Sequence, residues 1–380
     1  MHGTSLTPGD PAPVFVQPTT TRPAYHFSTA AGRYVVLSFF GSAARADVQG
    51  YLERIRTSAV FADGHVIFLG VSHDPEDAAR PCAQDVAPGF RTFLDFRTEI
   101  AKLYGVLNDD GERHIRCRTF VLDPNLRILA VIPVEDWSGH GDRILTLLAA
   151  LPPIAPLEAS SPPAPILVVP RVFEPEFCRE LMATYAAGRG EDSGFMEERQ
   201  GRMVGIVDHA FKRRRDCEIT DERLRRRIQT RMYRRLNPEI AKAFCFHPTR
   251  IERYIVACYD AKEGGYFRPH RDNMMKGTAH RRFAVTINLN AEEYSGGDLH
   301  FPEYGSQLYK APTGGAIVFS CSLLHEATPV TSGRRFAFLP FLYDEAAAQI
   351  RAANLDHIAD PALREAVRAA IVPVVPRDTA

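Results

Sequence analysis

Apolar and polar positions alternate in two different ways along this chain. Up to residue 150, apolar runs of strand length are separated by amphipathic stretches. YVVLSFF (34–40) is apolar on both faces, as a doubly covered strand requires, and the run from Asp47 to Ala59 has helical spacing. HVIFLGVS (65–72) and FRTFLDF (90–96) repeat the strand pattern, each followed by a polar or helical stretch, HDPEDAARPCAQ and RTEIAKLYGV. RTFVLDPNLRILAVI (118–132) predicts a hairpin turning at Asp123, Pro124 and Asn125, and DRILTLLAAL closes the region as a helix. Such alternation predicts an α/β layered domain with a mixed sheet over residues 1–150.

Past residue 170 the pattern changes. FEPEFCRELMATYAA carries Phe173, Phe177, Leu181 and Tyr185 on one helix face, and DERLRRRIQTRMYRRL carries Leu224, Ile228, Met232 and Leu236 likewise. From Arg250 to Tyr343 come short β-rich runs with Gly and Pro between them, RIERYIVACYD, RRFAVTINLN, GDLHFPE, GAIVFSCS and RRFAFLPFLYD. Strands this short and close predict a β-sandwich or jelly roll, and with the helices an α+β domain over 171–380 with a helical tail. Between the two regions, LPPIAPLEASSPPAPILVVPR holds seven prolines. Proline fixes φ and removes a donor, so 151–170 reads as an extended linker.

Composition narrows the function classes. The 46 basic side chains equal the 46 acidic ones, so no overall charge draws the chain to nucleic acid or an anionic membrane. The basic run FKRRRDCEITDERLRRRIQTRMYRR has its apolar residues at helix spacing, which reads as a solvated helix face. No apolar run has the length of a membrane span, and the N-terminus lacks a basic start before an apolar core. Seven cysteines without CxxC spacing fit a reducing, cytoplasmic compartment, with Cys258 and Cys321 in apolar strands as inert thiols.

The chemistry-bearing residues lie in the second region. In YFRPHRDN, His270 and Asp272 are two apart, which on a strand or its end puts both side chains on one face. Two histidines and a carboxylate on one face of a metal form the facial set of non-haem Fe(II) oxygenases. A third ligand is available in His325, directly after the strand GAIVFS. Arg335, ten residues on, begins RFAFLPFLYD, and its planar guanidinium suits a bidentate grip on the far carboxylate of a 2-oxo diacid.

Segment 173–343 resembles the 2-oxoglutarate- and Fe(II)-dependent dioxygenases, in the prolyl-hydroxylase-like branch. The resemblance rests on HRD at 270–272, GGDLHFPE at 296–303, and His325, Val330, Gly333 and Arg335 in HEATPVTSGRR, with IVACYDAKEGGYFRPHRDN similar to the oxygen-sensing prolyl hydroxylases. It implies a double-stranded β-helix, His270, Asp272 and His325 as iron ligands, and Arg335 on the C5 carboxylate of 2-oxoglutarate. Tyr259 matches a co-substrate tyrosine of that branch, though it equally reads as a core tyrosine with a satisfied hydroxyl. Asn288 stands where relatives often have a tyrosine assisting the arginine, so Thr286 and Asn288 are both candidate partners for Arg335. The implied reaction consumes O2 and 2-oxoglutarate, releases succinate and CO2, and hydroxylates an unactivated C–H, with ascorbate as an auxiliary reductant. Asp272 favours hydroxylation over halogenation, since halogenating relatives have a small residue there. Substrate contacts are expected on the loops 191–215 and 274–282, and the substrate could be a small molecule, peptide or protein side chain.

Residues 6–150 resemble the thioredoxin-like fold in its peroxiredoxin branch, through LTPGDPAPVF, GRYVVLSFF and RTFVLDPNLRI. A peroxiredoxin needs a thiolate at the head of the helix after its first core strand. Here that place reads GSAARADVQGY and no Cys occurs before Cys82, so a packing, partner-binding or homodimer role is expected instead. Two rival readings remain open: a non-catalytic metal- and 2-oxoglutarate-binding sensor, and a thiol redox protein using Cys82 or Cys117.

Overall fold

The computed structural model describes residues 5–107, 115–154, 163–188, 190–199 and 202–357, with 360, 361, 364, 365 and 368 beyond them. It divides into two compact units, Met1–Glu158 and Ala159–Ala380. The second helix expected in the tail, near Pro361, falls mostly outside the described residues. Among the described residues, no helix is long and apolar enough to cross a membrane.

In the first unit, five strands lie in the order Phe90–Leu94, Val66–Ser72, Tyr34–Gly41, Arg118–Leu122, Ile128–Pro133. The first three are parallel and the last two are the expected hairpin. Val35, Leu37 and Phe39 face one core with Phe27, Phe93 and Tyr104, while Val36 and Phe40 face another with Tyr51, Phe68 and Trp137. The run 34–40 is apolar throughout because both sheet faces are covered. The unit is a thioredoxin-like α/β sandwich. Burial pushes the Cys82 and Cys117 thiols up, so neither is a ready nucleophile at neutral pH.

A polar chain runs through the second of these cores. His140 Nε2 meets Thr119 Oγ1 at 2.8 Å, and Thr119 and Tyr51 both donate to Ser38 Oγ at 3.0 Å. Burial, then Arg143, pushes the His140 imidazole down to about 4, so His140 folds neutral. Its folded pKa lies below the unfolded one. Its contribution is therefore complete above pH ~6.5 and is lost as pH falls towards 4, by roughly 2 kcal/mol at pH 5. Trp137, the single tryptophan, lies 5.5 Å from His140 and reports on this unit. Its fluorescence-detected urea midpoint is expected to fall between pH 7 and 5, with a flatter profile in His140→Gln.

The second unit is built on two large sheets, with two further two-stranded pairs, Phe195–Arg199 with Arg202–Ile206 and Ser295–Gly296 with Val330–Ser332. The larger runs Arg250–Glu252, Phe341–Tyr343, Phe283–Asn288, Arg334–Phe338, Ile255–Asp260, Arg215–Glu218, Glu191–Asp192, with Ala316–Ser320 also on Phe283–Asn288. The smaller runs Lys212–Arg213, Tyr266–His270, His325–Ala327, Leu299–His300, Leu308–Tyr309. Helices Pro175–Gly188, Glu222–Arg235 and Asn237–Phe244 cover the outer face of the larger sheet. Val256, Cys258, Val285, Ile287, Phe336 and Phe338 meet these helices. Strand period two then sends Tyr259, Thr286 and Arg335 to the other face. The arrangement is an α+β jelly roll.

Two expectations change here. Ile166–Val169, within the stretch read as a linker, is a strand antiparallel to Ala316–Ser320, and Val169 is buried. The apolar ILVV between Pro165 and Pro170 is long enough to pair, and the prolines lie outside the strand, where no ladder donor is lost. The arginines of Glu222–Arg235 are also less solvated than a free polar face. Arg227 pairs with Glu180 at 2.5 Å, Arg231 and Arg235 pair with Glu174 at 2.7 and 2.8 Å, and Arg235 is buried. These charges join two helices.

Candidate active site

His270 ends its strand directly opposite His325, after a register shift at Phe267. Asp272 lies two residues past the pairing, its N–H donating to the Cys321 carbonyl at 3.0 Å. One donor atom from each of His270, Asp272 and His325 falls within 4.8 Å of the others. The two Nε2 atoms lie 3.6 and 3.4 Å from the Asp272 oxygens. Each Nδ1 sits on a main-chain carbonyl, His270 on Arg268 at 2.8 Å and His325 on Leu323 at 3.0 Å. With Nδ1 donating, each Nε2 turns a lone pair inward, as metal ligation requires.

Electrostatics favour the same state. Burial, then neighbouring His325, pushes His270 down to about 3, which keeps the imidazole neutral. Burial pushes the Asp272 carboxyl up, but His325, His270, Arg281 and Arg253 together hold it below its ordinary value. Phe267 stacks on His270 at 3.6 Å and Phe319 meets His325 edge-on at 4.5 Å, fixing both rings.

The motif HFPE also has a structural task. Glu303 takes Arg271 at 2.7 Å and the Leu324 N–H at 2.9 Å. One carboxylate thereby ties the residue between His270 and Asp272 to the residue before His325. Glu252 takes two hydrogen bonds from Arg281 at 2.9 and 2.7 Å and meets His280 at 2.8 Å, and Arg281 donates onward to the Asp272 carbonyl at 3.3 Å.

His270, Asp272 and His325 line a cavity of about 720 Å³, together with Tyr259, Thr286 and Arg335. Arg335 is 2% exposed, and its Nε and Nη1 are buried with no hydrogen-bond partner. Its guanidinium lies over the Tyr259 ring at 5.0 Å. A buried cation with idle donors is costly to leave unpaired, so this pocket fits an incoming carboxylate. Gly297, at φ +66°, explains part of the GGD motif: a Cβ there would meet Val330 Cγ2 at 2.7 Å and Arg335 Cδ at 3.1 Å. Tyr259 receives Arg214 Nη1 on its hydroxyl at 3.4 Å, while Arg214 is held by Asp216 at 2.6 Å.

The structure separates the two candidates for partnering Arg335. Thr286 reaches the cavity. Asn288 is on the same strand face but donates to the Ala311 carbonyl at 2.7 Å and does not line the cavity. Beside Arg335, the buried Tyr294 hydroxyl has no hydrogen-bond partner, and burial pushes it up against the pull of Arg335. Tyr294, six residues after Asn288, was not singled out by pattern, since a tyrosine before GGD reads equally as core. Both segments expected to meet substrate contribute to the cavity, through Phe195, Met203 and Phe211 and through Met275, Thr278 and Arg281, but 191–215 is no plain loop: Phe195–Arg199 and Arg202–Ile206 pair as antiparallel strands.

Residues 254–343 match the family model of the 2OG-Fe(II) oxygenase superfamily, and residues 8–131 match that of the AhpC/TSA family. The chain is 34% identical over 96 residues to a PKHD-type hydroxylase of Synechococcus sp. (strain JA-2-3B'a(2-13)), covering 24% of this chain and 42% of the relative. It is 32% identical over 127 residues to a PKHD-type hydroxylase of Stutzerimonas stutzeri (strain A1501), covering 31% and 54%. The chain thus spans about half the length of the curated relatives it matches. A solved Pseudomonas putida prolyl-4-hydroxylase aligns with 47% of this chain and 92% of its own at 17% identity and a TM-score of 0.37. The chain therefore joins a 2-oxoglutarate/Fe(II) oxygenase-type domain to a peroxiredoxin-type domain that lacks the peroxidatic cysteine.

Proposed function

We propose that the C-terminal unit is an Fe(II)- and 2-oxoglutarate-dependent dioxygenase that hydroxylates an unactivated C–H bond, with His270, Asp272 and His325 holding the metal. The observation that carries this reading is the idle Arg335 guanidinium in the same cavity as a two-histidine, one-carboxylate set. Bound iron would supply oxygen activation coupled to decarboxylation of 2-oxoglutarate, yielding succinate, CO2 and a hydroxylated product. Arg335 would grip the C5 carboxylate, with the Tyr259 ring and Thr286 shaping its seat and Tyr294 packed beside the guanidinium. Ascorbate would serve as a reductant that restores ferrous metal. The N-terminal unit would act in docking or dimerisation, and seven free thiols favour a reducing, cytoplasmic setting.

Oxygen-dependent succinate formation by iron-loaded protein, screened across amino acids, peptides and metabolites, tests the proposal. Arg335→Gln is expected to weaken 2-oxoglutarate binding on the order of 10- to 100-fold, as loss of a charged bidentate pair implies, and to leave metal affinity intact. Unaltered 2-oxoglutarate affinity in that variant would remove Arg335 from the role. A sensor would bind both ligands and never form succinate.

A further inference from the structure

The cavity holds a second guanidinium with idle donors. Arg253 lies between the strands Arg250–Glu252 and Ile255–Asp260, at φ +68°, in the left-handed region that residues with a Cβ rarely adopt. An arginine kept where glycine would sit more easily needs a reason in its side chain. That side chain lines the cavity over the Phe341 ring at 4.2 Å. Its one hydrogen bond, Nη2 to the Leu339 carbonyl, is long at 3.4 Å, and its Nε is buried without a partner.

Three neighbouring guanidinium groups are ion-paired. Arg214 has Asp216, Arg281 has Glu252 and Arg271 has Glu303. Burial pushes the Lys212 amine down to about 6, and its Nζ donates to Ser193 and the Gly194 carbonyl at 2.6 and 2.7 Å. Arg351 also has a buried Nε without a partner, but it donates to the Tyr343 hydroxyl at a short 2.7 Å. Among the described residues, no carboxylate forms an ion pair with Arg253. Burial, with Arg281 and Arg214 nearby, pushes its guanidinium down to about 10, so it still carries its charge at neutral pH.

Position separates Arg253 from the co-substrate seat. Arg335 pairs with Tyr259 at one end of the ladder between Ile255–Asp260 and Arg334–Phe338, whereas Arg253 reaches Leu339 past the other end. Four residues of strand put about 13 Å of backbone between Arg335 and Leu339, so the two side chains enter the cavity from different ends of the ladder. Asp272 and Arg335 would together balance a divalent metal and the co-substrate dianion, and Arg253 feels Glu252 and Asp216 only at longer range, with no ion pair among the described residues.

We propose that the cavity takes a substrate bearing a carboxylate, and that Arg253 receives that group beside Phe341. This rests on the dioxygenase reading for the reaction, but carboxylate binding can be measured without turnover. Protein loaded with Mn(II) and saturated with 2-oxoglutarate is titrated by calorimetry with phenylacetate and with phenylacetamide, which share a shape and differ in charge. One-to-one uptake of the acid, at least about 10-fold tighter than the amide, is expected. Arg253→Gln should lose that preference and keep 2-oxoglutarate affinity within about twofold. Arg253→Gly relieves the left-handed backbone, so it should fold at least as well and lose the preference too. No uptake of the acid, equal uptake of acid and amide, or a preference that survives in Arg253→Gly would each overturn the proposal. A prior titration of the Mn(II)-loaded protein with 2-oxoglutarate that shows no binding would instead count against the dioxygenase reading, and the acid–amide comparison would still report on Arg253.

Discussion

Asp272→Ala is expected to lower divalent-metal affinity by on the order of 100-fold or more and to reduce succinate formation to background. Asp272 is the one carboxylate of the donor set, and both Nε2 atoms face it within 3.6 Å. Without it, two neutral imidazoles remain on one face, too few donors and no charge to hold a hard ferrous ion. The fold should survive. The Asp272 side chain receives no hydrogen bond among the described residues; only the two imidazoles and more distant cations compensate its burial. Because those groups outweigh the burial and hold the carboxyl below its ordinary value, the charge is net favourable in the fold at neutral pH, so the thermal midpoint is expected to fall modestly. Metal titration by calorimetry and a thermal melt on the same sample separate the two effects. Wild-type metal affinity in Asp272→Ala would remove Asp272 from the ligand set.

What the sequence made legible was what has a period or a chemistry of its own. Phe177, Leu181 and Tyr185 recur at helix spacing and are buried on one helix. HxD, His325 and Arg335 are recognisable because metal and carboxylate binding restrict the residue types. Period two even places Thr286 and Asn288 on one strand face. It cannot say where along that face the cavity stops, and Asn288 lies beyond its edge, held by Ala311. Contacts between distant segments leave no local trace. Glu252, Arg253 and Arg281 read as ordinary charged strand-end residues, yet sheet pairing brings all three to the cavity wall. Ile166–Val169 was hidden by its prolines, whose effect on composition outweighs four pairing residues. The arginine-rich helix misleads for a similar reason, since its partner glutamates lie on a distant segment, Glu174 just before the helix Pro175–Gly188 and Glu180 within it.

The second large effect is expected at Glu252. Its carboxylate is enclosed, with burial pushing it up and Arg281 and His280 holding it well below the usual range. A depressed pKa means its stabilisation is fully present above the unfolded value of about 4.3 and lost only in acid, so at neutral pH the whole contribution is at stake. Glu252→Ala strands the Arg281 guanidinium in the interior, and breaking a buried pair from one side destabilises by about 3–5 kcal/mol. Arg281 also donates to the Asp272 carbonyl, so metal affinity should fall by roughly 10-fold, as for other groups that orient a ligand. The double variant Glu252→Leu with Arg281→Met distinguishes the two roles. Replacing both charges by apolar side chains should recover most of the thermal midpoint. The lost hold on Asp272 is not replaced, so metal affinity should stay low. Recovery of metal affinity along with stability would mean that Arg281 serves the metal only by keeping the unit folded.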